Sequence, residues 1–323
     1  MNIIVETSLL VFRKAWIKIA KLDHNIFKQN QFVGEDAGDL LYKRLMDDQP
    51  LMVCRFGSTE LGCLHRFLNK QERLPWYRKI SHYLFNRDLT YPFWWDRVIQ
   101  NDMAINSGFF PSTPENLNLF CEKMLIDIKQ IDILGSWLTI EENVQPFFPE
   151  SIEYVGLRDL ESYYHTRPWT SALRQKKVLV IHPFEDTIKM QYAKRGKLFL
   201  NQDVLPDFDL ITLKAVQTIS NNKAEFSNWF EANDHMCDQI KAIDFDIAII
   251  GCGAYGLSLA AFVKSIGKKA IHMGGATQLL FGIKGNRWDK WTFYQNLYNE
   301  NWTRVNTIDM PTKKDEGEVT CYL

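Results

Sequence analysis

Seven short apolar runs rich in β-branched residues, most of them ending in Gly, Asn, His or Pro, constrain this chain's fold more than any other feature. They are "PLMVCRFG", "MAINSGFFP", "IDILGSWL", "KKVLVIHPF", "DLITLKAV", "DFDIAIIGCG" and "KKAIHMGG". Runs of this kind read as buried strands, and the stretches between most of them carry helical spacing. Strand and helix in alternation predict an α/β, Rossmann-like fold: a mostly parallel sheet with helices on both faces. Ligands of such sheets collect beyond the carboxyl ends of the strands, so candidate site residues are sought there.

The organisation follows from the same pattern. Residues 1–30 form an N-terminal amphipathic segment, 31–307 a single α/β domain and 308–323 a polar tail. Helices are expected over Gly38–Asp47 and from Ser112 onward, where a Ser/Thr-Pro-Glu cap precedes an amphipathic stretch. An aromatic-rich segment at about 69–100, "LPWYRKISHYLFNRDLTYPFWWDRV", reads as a helical insertion, and an aromatic, helical stretch should follow Trp288 as far as Arg304. In the first segment, Leu9, Leu10, Phe12, Trp16, Ile17 and Ile19 are mixed with Arg13, Lys14, Lys18 and Lys21. Such a helix either packs on the domain or a partner subunit, as in a homo-oligomer, or lies on a membrane surface.

With 38 basic and 39 acidic residues mixed along 323, no global field would gather nucleic acid. The six cysteines show no C-x-x-C pairing, and early cations interrupt any signal-peptide layout. A cytoplasmic protein, with peripheral contact at the inner face of the membrane as an option, is expected. No nucleophile elbow, H-E-x-x-H or P-loop is present.

One run opens into a familiar turn. In "IAIIGCGAYGLSLAAFVKSIGKKAIHMGGATQLLFGIKGNRW", Gly251, Gly253 and Gly256 have G-x-G-x-x-G spacing, with Tyr255 at the start of the following helix. A nicotinamide or flavin site would need an acid at the end of the next strand to hold the ribose. His272, Met273, Gly274 and Gly275 stand there instead, so neither NAD nor flavin is expected. The glycines can still present backbone N–H groups to an anion, or they can serve only close packing. Past the strand end, Gly274, Gly275, Gln278, Lys284 and Arg287 combine flexible turns with cations suited to a diphosphate.

Other strand ends add candidates. "LMVCRFGSTELGCL" places Arg55, Gly57, Ser58 and Glu60 where a strand meets a helix; Glu60 there is either a functional carboxylate or a capping partner. "VLVIHPFEDTI" places His182, Glu185 and Asp186 similarly, and Glu185 is the candidate general base, with His182 the second choice. Asn106, Trp137 and Gln217 are further polar strand-end groups, and Trp137, Tyr163, Tyr164 and Trp169 are candidates for stacking on sugar rings.

Together, "RFGSTEL", "VLVIHPFEDTI" and the glycine-rich block resemble bacterial glycosyltransferases of the GT-D type, enzymes of cell-surface polysaccharide and glycoprotein glycosylation. The likeness runs from about Gly34 to Trp288. That family carries an R-F-G-D-G-E-like segment whose carboxylates are associated with a divalent metal and the donor. Its arginine, glycine and glutamate correspond to Arg55, Gly57 and Glu60, but Ser58 replaces its aspartate. The resemblance implies transfer of a sugar from a nucleoside diphosphate sugar, most plausibly a UDP-sugar, to a hydroxyl of a glycan or lipid-linked glycan. It also implies that either Glu60 holds Mn²⁺ or Mg²⁺ with donor phosphates and water, or Arg55, Lys284 and Arg287 balance the diphosphate without metal. A non-catalytic nucleotide-sugar or carbohydrate-binding protein is the alternative.

Overall fold

The computed structural model describes residues 3–20, 30–86, 90–222, 225–312 and 322–323. Seven strands, β1 (Leu51–Cys54), β2 (Ile133–Ser136), β3 (Glu153–Gly156), β4 (Lys177–His182), β5 (Asp209–Lys214), β6 (Ile247–Ile250) and β7 (Lys269–His272), form one sheet. All pairings are parallel, in the order β3-β2-β1-β7-β6-β4-β5. The accompanying helices are α1 (Ile3–Ile19), α2 (Glu35–Met46), α3 (Ser58–Gln71), α4 (Trp76–Phe85), α5 (Arg97–Ile105), α6 (Pro114–Asp127), α7 (Glu185–Tyr192), α8 (Trp229–Ala242), α9 (Tyr255–Ser265), α10 (Thr277–Leu280) and α11 (Thr292–Leu297).

Successive strand residues point to opposite faces, and each face has its own helical layer. Met52, Cys54, Leu134, Ile181 and Ile250 pack with α3, α5, α6, α8 and α9. Leu51, Val53, Ile133, Val180 and Ile249 pack with α2, α7, α10 and Trp169. The fold is therefore α/β and Rossmann-like, with helices on both faces of a parallel sheet. Truncating a fully buried strand residue such as Leu134 should cost about 2–5 kcal/mol.

Two strand assignments need correction. "MAINSGFFP" is not a strand: Met103, Ala104 and Ile105 finish α5, which starts after Asp96, whose carboxylate caps the Ile99 N–H at 3.0 Å, and Phe109 and Phe110 follow in the loop. The seventh strand is instead the edge strand β3, in which only Val155 is fully covered.

α6 begins as expected, with Thr113 Oγ1 accepting from the Asn116 N–H at 3.3 Å and Pro114 in its first turn. The aromatic stretch after Trp288 is helical only over α11. α1 packs on α4: the Phe12 and Trp16 rings meet Phe85 at 5.8 and 5.4 Å. Arg13 is buried and donates to the Leu84 and Asn86 carbonyls at 3.1 and 2.6 Å, satisfying the end of α4.

The polar tail is partly tied down. Asp309 is buried and accepts from the N–H and hydroxyl of Thr187, each at 2.7 Å. Residues 313–321 of that tail, like 21–29 of the N-terminal segment, lie outside the described residues.

Candidate active site

β4 hands the chain to β5 on one side while β6 hands it to β7 on the other, so the carboxyl ends of β4 and β6 flank a topological switch point. A cavity of about 420 Å³ opens there, and residues following every one of the seven strands line it. Arg55 to Glu60 come from β1, Trp137 from β2, Arg158 and Glu161 from β3, and His182 from β4. Gln217 and Thr218 come from β5, Gly251 to Tyr255 from β6, and His272 to Gly275 from β7. The loop after α5, with Asn106 and Ser107, Lys123 and Asp127 of α6, Gln278 of α10, and Arg287, Trp288, Trp291, Tyr294 and Tyr322 from the C-terminal region also line the cavity.

Arg55 occupies the junction of β1 and β7. Its guanidinium lies 5.2 Å from the Trp137 ring centroid, and the Trp137 indole N–H is fixed by the Phe56 carbonyl at 3.0 Å. Gly274 adopts φ 62° and leaves room for it; a Cβ there would stand 2.7 Å from Arg55 Nη1. The charge of Arg55 acts on both Glu141 and Glu161.

Glu60 is turned back onto its own helix terminus. A Cβ on Gly57 would lie 1.8 Å from Glu60 Oε2, which sets the carboxylate over the start of α3, where the helix dipole favours negative charge. Ser58 is exposed at the same end. Glu60 is the one carboxylate of this segment, and the Ser58 hydroxyl is a weaker ligand for a hard divalent ion than a carboxylate would be, so any such ion here would draw most of its oxygens from donor phosphates and water. Among the described residues no three His, Cys, Asp or Glu side chains gather into a metal-binding group.

Each of the three glycines of the G-x-G-x-x-G turn admits a close neighbour. A Cβ on Gly251 would stand 2.6 Å from the Gly274 carbonyl and 2.8 Å from the His182 ring. Gly253, at φ 57°, admits the Ser107 carbonyl, which also accepts the Ala254 N–H at 3.0 Å. Gly256 makes space for the His272 ring, whose nearest atom would be 2.0 Å from a Cβ. Gly251 and Gly253 line the cavity but Gly256 does not. Tyr255 stacks on Trp229 at 5.1 Å and belongs to the floor.

Both histidines are neutral groups by environment. Burial lowers the His182 pKa to about 3, and its Nδ1 accepts the Phe184 N–H at 3.0 Å, so the ring proton sits on Nε2. With Nδ1 engaged and the proton on Nε2, this neutral ring at the cavity wall is poorly suited to act as a base. Burial, assisted by the charge of Arg55, likewise lowers His272 to about 3; its Nδ1 lies 3.2 Å from the Ile250 carbonyl.

Several expected site residues lie elsewhere. Glu185 is absent from the cavity wall and bonds to Lys189 and Thr212, each at 2.7 Å. Burial pushes its pKa up, but those two bonds and the charges of Lys189 and Lys214 outweigh it and hold the carboxyl below its ordinary value. Lys284 is turned onto the Tyr298 ring at 5.1 Å and is also outside the cavity wall. Of the candidate sugar-stacking rings only Trp137 lines the cavity; Trp169 is fully buried, and Tyr163 stacks on Phe199 in the core. Gln278 does line it, with its amide N–H₂ donating to the Ile283, Lys284 and Tyr322 carbonyls at 3.3, 3.2 and 3.0 Å. Arg287 lies at the mouth against Tyr322, donating to its hydroxyl at 3.0 Å.

Glu161, which the sequence did not single out, is the most distinctive group in the cavity. It is buried, and both Tyr163 and Tyr294 donate their hydroxyls to Oε2, Tyr294 at 3.0 Å. Burial raises its pKa, opposed by the two phenols and by Arg158 and Arg55. With both phenols on Oε2, Oε1 is left to accept from a ligand. A second cavity adjoins the first and shares Trp137, Leu157, Arg158 and Trp291 with it.

No protein-family model, curated protein or solved structure matches this chain.

Proposed function

We propose that this protein is a glycosyltransferase that moves a sugar from a nucleoside diphosphate sugar, a UDP-sugar first among candidates, to an acceptor hydroxyl of a glycan or lipid-linked glycan. The observation that carries the proposal is Arg55, held between Trp137 and Gly274 where the ends of β1 and β7 open on the cavity. Four cations, Arg55, Lys123, Arg158 and Arg287, face three carboxylates, Glu60, Asp127 and Glu161, around that cavity. The two histidines there add no charge near neutral pH. The balance suits an anionic ligand, and the volume suits a ligand of nucleotide-sugar size.

In the proposed reaction the acceptor oxygen forms a bond to C1 of the donor sugar as the bond from C1 to the diphosphate oxygen breaks. The electron pair leaves with the diphosphate, whose growing charge Arg55 and Arg287 stabilise. The acceptor proton passes to Glu161 Oε1, in place of the Glu185 and His182 roles expected from sequence. The adjoining cavity, with its tryptophan wall, is the place for the acceptor glycan, since indole faces stack on sugar rings.

The test is titration calorimetry with UDP, GDP and dTDP, followed by hydrolysis of the matching sugar nucleotides with and without Mn²⁺. Binding of one diphosphate, weakened about tenfold or more by Arg55→Ala, is expected, since a bond to a charged group is worth about 1.5–3 kcal/mol. Absence of binding to every nucleoside diphosphate would sink the proposal.

A further inference from the structure

Large apolar side chains left open to solvent concentrate on α1 and α4. On α1, Ile4 (71% exposed), Val11 (62%) and Ile19 (74%) fall on one stripe, while Trp16 packs on Phe85. Every residue from Gln71 to Arg78 is exposed, and in that turn into α4 stand Leu74, Trp76 (71%) and Tyr77 (56%).

The charges around these side chains have one dominant sign. Lys14, Lys18, Arg73 and Arg78 are exposed, against Glu6 and Glu72. Two further cations are engaged with backbone: Arg13 caps the end of α4, and Lys79 donates to the Asn69 and Lys70 carbonyls at 3.1 and 2.8 Å. No described helix is long and apolar enough to cross a membrane.

We propose that α1 and α4 form a docking surface for a bilayer rich in anionic lipid. Indole and phenol rings flanked by arginines match the headgroup level of a membrane, where one end of the ring is apolar and the other wet. An apolar helical stripe beside lysines lies in the same plane and is drawn to negative headgroups. A second copy of the chain fits less well, because a two-fold contact would set each cation cluster against its equal. The surface is remote from the chemistry: α3, 14 residues and about 21 Å long, separates Gln71 from Ser58 at the cavity.

Sedimentation of the intact chain with phosphatidylcholine vesicles, with and without phosphatidylglycerol, tests the proposal. Pelleting with the anionic vesicles alone, relieved by added salt, is expected. Partitioning should weaken about fivefold for each cation removed in Arg73→Glu and Arg78→Glu, and again in Trp76→Ser. Trp76 is largely exposed, so this last change should leave the circular dichroism and melting temperature unaltered. The proposal fails if the chain pellets with neither vesicle, or if it pellets equally with both and charge reversal changes nothing. It also fails if the chain is a dimer in solution that Trp76→Ser disperses.

Discussion

The Tyr294 hydroxyl donates to Glu161 at 3.0 Å, tying α11 to the turn after β3 across the wall of the cavity. This bond, with that from Tyr163, holds one carboxylate oxygen in a buried position and leaves the other for a ligand.

Glu161→Gln keeps the shape and removes the proton acceptor. Turnover should fall by a factor of about 10²–10⁴, the usual contribution of a positioned base, while UDP affinity is retained. Because burial raises the Glu161 pKa, the wild-type rate should decline as pH is lowered through that value. No further limb is expected near pH 6.5, since His182 and His272 both stand at about 3. A rate profile for Glu161→Gln that keeps the acidic limb would remove Glu161 from the role.

Glu185→Ala is the matching control. Among the described residues its carboxylate bonds to Lys189 and Thr212 alone, away from the cavity. Turnover should be unchanged and stability lowered by about 1–2 kcal/mol, since the Glu185 side chain is largely covered and the change also leaves the Thr212 hydroxyl without its acceptor. A large loss of activity with intact folding would return the base to Glu185.

Gly256→Ala sets two effects against each other. Alanine gains about 1 kcal/mol of helix propensity in α9, but its Cβ would lie 2.0 Å from the His272 ring, and crowding of this kind costs about 1–3 kcal/mol. Net destabilisation is expected in chemical denaturation, together with weaker donor binding as His272 shifts at the cavity wall. An increase in stability would show that the ring has room to move.

Asp127 should shape the pH dependence of stability. Burial raises its pKa from 3.8 to about 6, opposed by Lys123, whose ammonium lies 3.2 Å away. A raised folded-state value means that its contribution is complete below the unfolded value and is lost as pH rises through about 6. Stability relative to Asp127→Asn should therefore be greater at pH 4 than at pH 7, by at most about 3 kcal/mol for a shift of this size. Equal differences at the two pH values would refute the assignment.

Sequence patterning revealed the sheet but only part of its use. β1, β6 and β7 were legible because their apolar runs are covered on both faces and end at glycine or a polar turn. β3 escaped because an edge strand with one fully covered residue carries little apolar signal. "MAINSGFFP" misled because the buried end of an amphipathic helix has the same composition as a strand. At the site, Arg55 and Arg287 were accessible from their positions beside glycine-rich turns, and both line the cavity. Glu161 was not, because its character depends on Tyr294, 133 residues further along the chain. Glu185 drew attention by standing at a strand end, yet its side chain is taken up by its own helix and by β5.

The strand order carries a consequence for how the protein is made. β1, β2 and β3 pair among themselves, as do β4, β5 and β6, and the two groups meet only through β7. That joining strand, Lys269–His272, is the last of the seven to leave the ribosome. Until it does, β1 and β6 are open edges and Arg55 has no fixed relation to Gly251. The nascent chain thus carries two sheet fragments whose inner edges need protection, and its binding cavity comes into being in one late event.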